Sequence, residues 1–136
     1  MGIYLKSVPS LFVGILTFLY GGWSVLLAIL VALVVIDYIT GMLASALKGE
    51  LRSNVGLLGV ARKVFIFAMV TVAHLIDLLL IENGIESSEV VMTMVIVFYA
   101  INEILSITEN AGRIGLPVPE YIKNAIAILK NKKNNK

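Results

Sequence analysis

Residues 23–47 read WSVLLAILVALVVIDYITGMLASAL, and Asp37 is the only formally charged residue among them. At about 1.5 Å per residue, a helix of this length can cross a hydrocarbon core of about 30 Å. The apolar run extends back to Leu11, and as one helix it would be roughly 55 Å long. We expect it to break at Gly21-Gly22, because glycine frees the backbone and the following tryptophan prefers the headgroup layer.

Two further apolar stretches have the length of a membrane span. Residues 64–81 contain Asp77 as their only formal charge, and residues 90–108 contain only Glu103. Hydrophobic residues make up 59% of the chain and charged residues 15%, against about 25% charged in an average soluble domain. The sequence predicts an all-α polytopic membrane protein with three secure transmembrane helices, a shorter N-terminal membrane helix and a C-terminal amphipathic helix.

The chain divides by composition into two parts. We expect a membrane helical domain over residues 1–111 and a cytoplasmic segment over residues 112–136. Pro117 and Pro119 mark a turn between them, since proline cannot continue a helix. The membrane helices are predicted at about 4–20, 23–47, 62–81 and 90–108.

The distribution of bases predicts the orientation, because loops rich in lysine and arginine stay in the cytoplasm. The connection at 48–63 carries four bases and one acid, whereas residues 82–89 carry three glutamates and no base. The C-terminus is therefore expected inside, where its bases attract anionic membrane lipids by about 1 kcal/mol each. No nucleic acid partner is expected. The predicted basic inner surface comprises Lys48, Arg52, Arg62, Lys63, Lys130, Lys132 and Lys133.

The first helix carries one stripe of small and weakly polar residues at spacings of three and four. Packing against a neighbouring helix is the favoured interpretation of this stripe, and a face turned toward water in an assembled pore is the alternative. An inside N-terminus, favoured by Lys6, gives four spans, and an outside N-terminus gives three. No cleavage pattern follows this helix, so we expect it to be retained. The stripe consists of Ser7, Ser10, Gly14, Thr17 and Gly21.

Polar residues inside the second helix share one face. Asp37, Gly41 and Ser45 follow at spacings of four, and a charge near mid-membrane costs at least about 2.5 kcal/mol on insertion scales. We expect the carboxylate to bond a neighbouring helix, with Glu103 or Asn102 as partner, and the small residues to bring copies of the chain together. A lumen-facing or protonation-sensitive acid is the alternative.

The later spans also carry polar groups. His74 and Asp77 lie three apart, so we expect them to pair, and a pH- or voltage-responsive element is the alternative interpretation. Asn102, Glu103 and Ser106 form a polar stripe in the last span. Bonding of Glu103 across a helix interface is favoured over its reaching to the inner headgroups.

The sequence contains no enzyme signature. A nucleophile elbow, a phosphate-binding loop and an H-E-x-x-H zinc motif are all missing. The chain has no cysteine and one histidine, so we expect no metal site and no cofactor.

Several short motifs, in order along the chain, resemble the phage lysis and toxin secretion holin family. The likeness covers residues 22–129. The motifs are DYITG at 37–41, KGELRS at 48–53, GVARK at 59–63, AHLID at 73–77, NEILSITEN at 102–110 and GLPVP at 115–119.

The resemblance implies a small protein of the bacterial inner membrane that forms homo-oligomers. Such proteins open lesions that release an endolysin or a toxin toward the cell wall and trigger lysis. Two other classes are compatible with the residues alone. One is a small ion or proton channel or transporter-like subunit whose path uses the intramembrane acids, and the other is a membrane adaptor with a cationic tail.

Overall fold

The computed structural model describes residues 2–134, and the side chains of residues 2–6 and of Lys133 lie outside the described part. Residues 2–134 form helices and connections without a strand, which confirms the all-α prediction. Three of the five helices are long and apolar enough to cross a membrane, so the chain is a multi-pass membrane protein. The helices are α1 Gly2–Tyr20, α2 Val25–Leu47, α3 Ser53–Glu82, α4 Val90–Ile114 and α5 Glu120–Asn134.

The break between α1 and α2 lies at the two predicted glycines. Gly21 and Gly22 have φ values of 72° and 99°, a left-handed region that side chains disfavour. Ser24 then caps α2, since its Oγ accepts a hydrogen bond of 3.2 Å from the amide of Leu27. The apolar part of α1, Ser7–Tyr20, is shorter than the three spans, and its crossing of the membrane stays a prediction.

Two helices are longer than the charge pattern indicates. Helix α3 begins at Ser53 rather than near residue 62. Charged residues end the apolar stretch of the sequence, but they can still be part of a helix. Gly56 and Gly59 are tolerated inside it, and both lie against the Tyr38 side chain. Helix α4 continues past residue 108 to Ile114. It ends at Gly115, whose φ of 87° makes it a left-handed cap.

Helix α4 is the centre of the bundle and packs against both α2 and α3, while α1 lies on α3 and α5 contacts the end of α4. Apolar side chains of the three spans meet in one core. Because lipid is as apolar as this core, close van der Waals packing stabilises it more than removal from water does. The core residues are Leu27, Leu30, Val34, Ile66, Val70, Ala73, Met92 and Ile96.

The two ends of the bundle differ in charge. We call the end formed by residues 48–52 and the end of α4 the basic end. The end formed by the α1–α2 turn and residues 83–89 is the acidic end. Much of the apolar surface between them is exposed in a single chain, as expected of spans that contact lipid.

Candidate functional site

A polar cluster joins α2, α3 and α4 between the apolar core and the basic end. The Lys63 ammonium donates to the carboxylate of Asp37 and to both oxygens of Glu103, at 2.9 and 2.7 Å. Asp37 and Glu103 are only 5% and 4% exposed. Neither acid faces lipid, and one lysine neutralises part of their combined charge.

Asn110 completes this cluster and lies about two turns after Glu103 on α4. Its Nδ2 lies 2.9 Å from Oδ1 of Asp37, 3.2 Å from the Asp37 carbonyl oxygen and 3.0 Å from Oγ1 of Thr40. Gly41 makes room for this side chain, since a Cβ on Gly41 would lie 3.4 Å from Asn110 Nδ2. The glycine thus brings α2 and α4 close enough for the amide to reach the acid.

The structure adds Lys63 and Asn110 to the predicted partners of Asp37. Both bond its carboxylate directly, and Ser106 and the predicted partner Glu103 lie within hydrogen-bonding reach. Lys63 was predicted as part of the basic inner surface, but its side chain is only 20% exposed and lies in the cluster. The early start of α3 explains the difference, because it carries Lys63 into the bundle as a helical residue.

The face of Asp37, Gly41 and Ser45 was predicted to join copies of the chain. In the structure this face packs against α4 of the same chain, and Ser45 is 6% exposed. This face therefore forms a contact within the chain, and a contact between copies through it stays a prediction. Spacing alone could not separate these cases, since both need a small-residue face.

Two cavities flank Lys63. One of about 290 Å³ lies among α2, α3 and α4 toward the basic end, and its wall includes Lys63, Arg62 and Arg113. The other, of about 590 Å³, lies between α3 and α4 beside Asn102 and Glu103. Leu30 and Val70 in the core are completely buried, so close packing fills the bundle beyond the cluster.

Asp77 has a different role from the predicted pair with His74. Its oxygens accept hydrogen bonds from the amides of Val91 and Met92, at 3.1 and 2.8 Å, and from the Ser87 hydroxyl. These amides belong to the first turn of α4, so an acid of α3 caps the next helix. One signal in the sequence was missed. Helix α4 starts with apolar residues and has no capping side chain of its own, so its first amides need an acceptor from another helix.

His74 lies near this cap and remains unbonded at one ring nitrogen. It is 5% exposed, and its Nδ1 has no hydrogen-bond partner among the described residues. The predicted His74–Asp77 pair is present as a charge interaction but not as a hydrogen bond, because the Asp77 oxygens accept from Ser87 and from the amides of α4.

The remaining predicted residues lie on the surface of the chain. The α1 stripe of small residues is exposed over Ser7, Ser10, Gly14, Thr17 and Gly21. The bases other than Lys63 whose side chains are described, which are Lys48, Arg52, Arg62, Lys130 and Lys132, are exposed.

Comparison with known proteins gives consistent matches. The model of the bacteriophage holin family matches residues 14–131. An uncharacterized protein of Halalkalibacterium halodurans is 52% identical over 96% of both chains. A protein of Bacillus phage phi105 named as a probable holin is 34% identical over 81% of this chain and 78% of its own. No solved structure matches.

Proposed function

Since the chain belongs to the bacteriophage holin family, we propose that it oligomerises in the bacterial cell membrane and opens lesions there. These lesions release an endolysin or a toxin toward the cell wall and so trigger lysis of the host. The protein acts in this role as a pore-forming protein without catalysis. The family match over residues 14–131 is the observation that carries the proposal.

The packing of the bundle supports assembly from several copies. Leu30 and Val70 are completely buried, so a folded hydrolase has no route through the middle of one chain. A lesion of protein size must therefore form between chains. The exposed α1 stripe around Gly14 is the contact surface that we propose, since a Cβ on Gly14 meets nothing within 4 Å and small residues allow helices to approach.

The basic end is proposed to lie in the cytoplasm. Arg52, Arg62 and the α5 bases Lys123, Lys130 and Lys132 are exposed toward this end, whereas the connection at the acidic end carries glutamates. The positive-inside rule supports a cytoplasmic C-terminus, and α5 would then lie near the anionic inner lipid surface.

The test is induced expression of the full chain in a bacterial host. Three cultures carry the chain alone, a cytoplasmic endolysin without an export signal, or both. Viability, membrane potential and culture density are followed over time. We expect the chain alone to stop growth suddenly and to depolarise the membrane, and only the culture with both proteins to clear.

The same three cultures also distinguish a holin from an ion channel and from a membrane adaptor. A small ion channel would depolarise the membrane without clearing the culture that also holds endolysin. An adaptor would change none of the three readings. Either result would reject the holin function.

A further inference from the structure

Three segments meet beside His74 at the acidic end of the bundle. A Cβ on Gly21, in the turn between α1 and α2, would lie 3.6 Å from Nδ1 of His74 and 2.8 Å from Oε1 of Glu89. The ring nitrogen and the carboxylate oxygen therefore border the same small space, which stays open because Gly21 has no side chain. Glu89 precedes α4, so this space joins the α1–α2 turn to α3 and to the start of α4.

The Glu89 carboxylate is held beside this space by an unusual backbone. Glu89 has a φ of 61° and Ser88 a φ of 44°, a left-handed region that residues with a side chain rarely adopt. Such strain is typical of switch regions. Glu89 occupies the N-cap position of α4, yet its side chain makes no capping bond. Asp77 caps the helix instead, which leaves the Glu89 carboxylate available to another partner.

His74 lacks the partner that its burial requires. The residue is 5% exposed and its Nδ1 has no hydrogen-bond partner among the described residues, although buried polar atoms are nearly always bonded. A carboxylate only accepts hydrogen bonds, and so does a ring nitrogen without a proton. The two groups can therefore bond only when Nδ1 carries a proton, as it always does in the charged ring.

The charged groups around His74 are acids. Asp77 lies on the same helix and interacts with the ring through its charge, and Glu89 faces the ring from the connection before α4. The other acids of this end, Glu82 and Glu86, are exposed. The first turns of α2 and α4 contain no titratable residue. A positively charged ring would thus be attracted by an acid on each side.

Helix α1 is held weakly in this region. Among the described residues it contacts α3 and no other helix. Tyr20, the titratable residue at its end, donates a long hydrogen bond of 3.4 Å to the Phe67 carbonyl oxygen. Gly21 and Gly22 follow in the left-handed region, and a Cβ on Gly22 would meet nothing within 4 Å. The turn therefore lets α1 move unless another group restrains it.

We propose that His74 and Glu89 form a pH-dependent latch on the α1–α2 turn. Protonated His74 donates from Nδ1 to the Glu89 carboxylate, and the closed pair holds Gly21 against α3 and the start of α4. The bond is present at acidic pH and is lost as the pH rises, because the neutral ring has no charge to attract the carboxylate. The effect of the latch on assembly through α1 rests on the proposed function, but its closure is a property of the single chain.

The experiment uses the purified full chain in nanodiscs of phosphatidylcholine at about pH 5 and about pH 8, the range in which histidine changes its charge. Spin labels on Leu11→Cys in α1 and Ile39→Cys in α2, both exposed positions, report the distribution of distances between the two helices. An excess of unlabelled chain keeps labelled copies apart. Nitrogen NMR of isotope-labelled histidine reports on His74 alone, because the chain has one histidine.

Three substitutions test the carboxylate. Glu89→Gln removes its charge and keeps its shape, whereas Glu89→Asp keeps the charge on a side chain too short to reach the ring. Glu86→Gln is the matched control, because it removes an exposed acid from the same connection. Circular dichroism checks that the variants keep their helices, and if Glu89→Gln does not, Glu89→Asp decides.

We expect the distance distribution of the original chain to be narrower at the acidic pH, and Glu86→Gln to behave in the same way. In Glu89→Gln and Glu89→Asp the distribution should stay broad at both pH values. The histidine signals at the acidic pH should show a hydrogen-bonded proton on Nδ1, and this hydrogen bond should be lost in both Glu89 variants.

Three results would overturn the proposal. A distribution that does not change with pH in the original chain would show that no latch responds to His74. The same loss in Glu86→Gln would assign the effect to the general charge of the connection. A distribution that still narrows in Glu89→Asp would show that a nearby charge is enough without the bond. None of these readings involves lysis, so failure of the latch and failure of the proposed function are distinguishable.

Discussion

Asn110 donates a hydrogen bond of 2.9 Å to the carboxylate of Asp37, although the two residues are 73 positions apart in the chain. The same amide group also reaches the Asp37 carbonyl oxygen at 3.2 Å. One side chain thus recognises both the backbone and the side chain of a single residue. This relationship fixes the register of α4 against α2, because a shift by one residue would break both bonds.

The first prediction separates hydrogen bonding from charge at Asp37. Asp37→Asn keeps an acceptor for Asn110 and leaves Lys63 paired with Glu103, so stability and lysis timing should change little. Asp37→Leu removes the acceptor and should lower the free energy of unfolding by about 1–3 kcal/mol. Unfolding in mixed detergent and timed lysis at matched membrane levels measure both effects. Equal loss in the two variants would show that the negative charge itself is required.

The second prediction concerns Lys63, which lies between two buried acids. Lys63→Met leaves these carboxylates without their counter-charge and should cost about 3–5 kcal/mol of stability. Lys48→Met removes an exposed lysine at the same end and should cost almost nothing. Adding Asp37→Asn to Lys63→Met should restore part of the loss. Unfolding curves of all three proteins give the comparison, and no recovery in the double variant would contradict the electrostatic cause.

The third prediction concerns the cap that α3 provides for α4. Asp77→Ala removes the acceptor for the amides of Val91 and Met92 and should destabilise the start of α4 by about 0.5–2 kcal/mol. Hydrogen exchange at these two amides should accelerate. Glu86→Ala, in the exposed loop before α4, is the control and should leave the exchange unchanged. Exchange that stays slow in Asp77→Ala would mean that another group caps the helix.

The fourth prediction follows from the close approach at Gly41. Gly41→Leu should displace Asn110 and lower the stability of the single chain, while Gly41→Ala should be tolerated because its Cβ fits at 3.4 Å. Gly112→Leu is the control, since nothing lies within 4 Å of a Cβ there. Unfolding and crosslinking are measured together. Fewer crosslinked oligomers without any loss of chain stability would instead place Gly41 between copies.

The fifth prediction tests the proposed orientation with single introduced cysteines. The chain has no cysteine of its own, so no native thiol has to be removed first. Glu86→Cys should react with an impermeant thiol reagent from outside the cell, and Asn54→Cys should not. Glu86 is a better position than Ser87, because Ser87 is 4% exposed and bonds Asp77. The opposite labelling pattern would reverse the topology.

The apolar runs were sufficient to predict the spans and the break at Gly21-Gly22. They could not give the helix bounds near Ser53 and Ile114, since charges mark where a helix leaves lipid and not where its hydrogen bonds end. The need for a partner at Asp37 also followed from the sequence, because insertion of an unpaired acid is costly.

Two of the partners of Asp37 could not be predicted from local spacing. Lys63 and Asn110 reach Asp37 only once three helices have packed, and sequence separation says nothing about that packing. Asp77 illustrates the same limit, since its spacing of three from His74 indicates a local pair. In the structure the amides of Val91 and Met92 donate hydrogen bonds to Asp77, because the first turn of α4 has no acceptors of its own for these amides.

The order in which the cluster residues are synthesised has a consequence for membrane insertion. At about 5–20 residues per second, the 73 residues between Asp37 and Asn110 take about 4–15 s to translate. Lys63 follows Asp37 by only 26 residues and is therefore the first counter-charge to emerge. Lys63 is thus available as a partner of Asp37 before α4 has been synthesised. In this order of synthesis, the ion pair between α2 and α3 is available before α4 can complete the cluster.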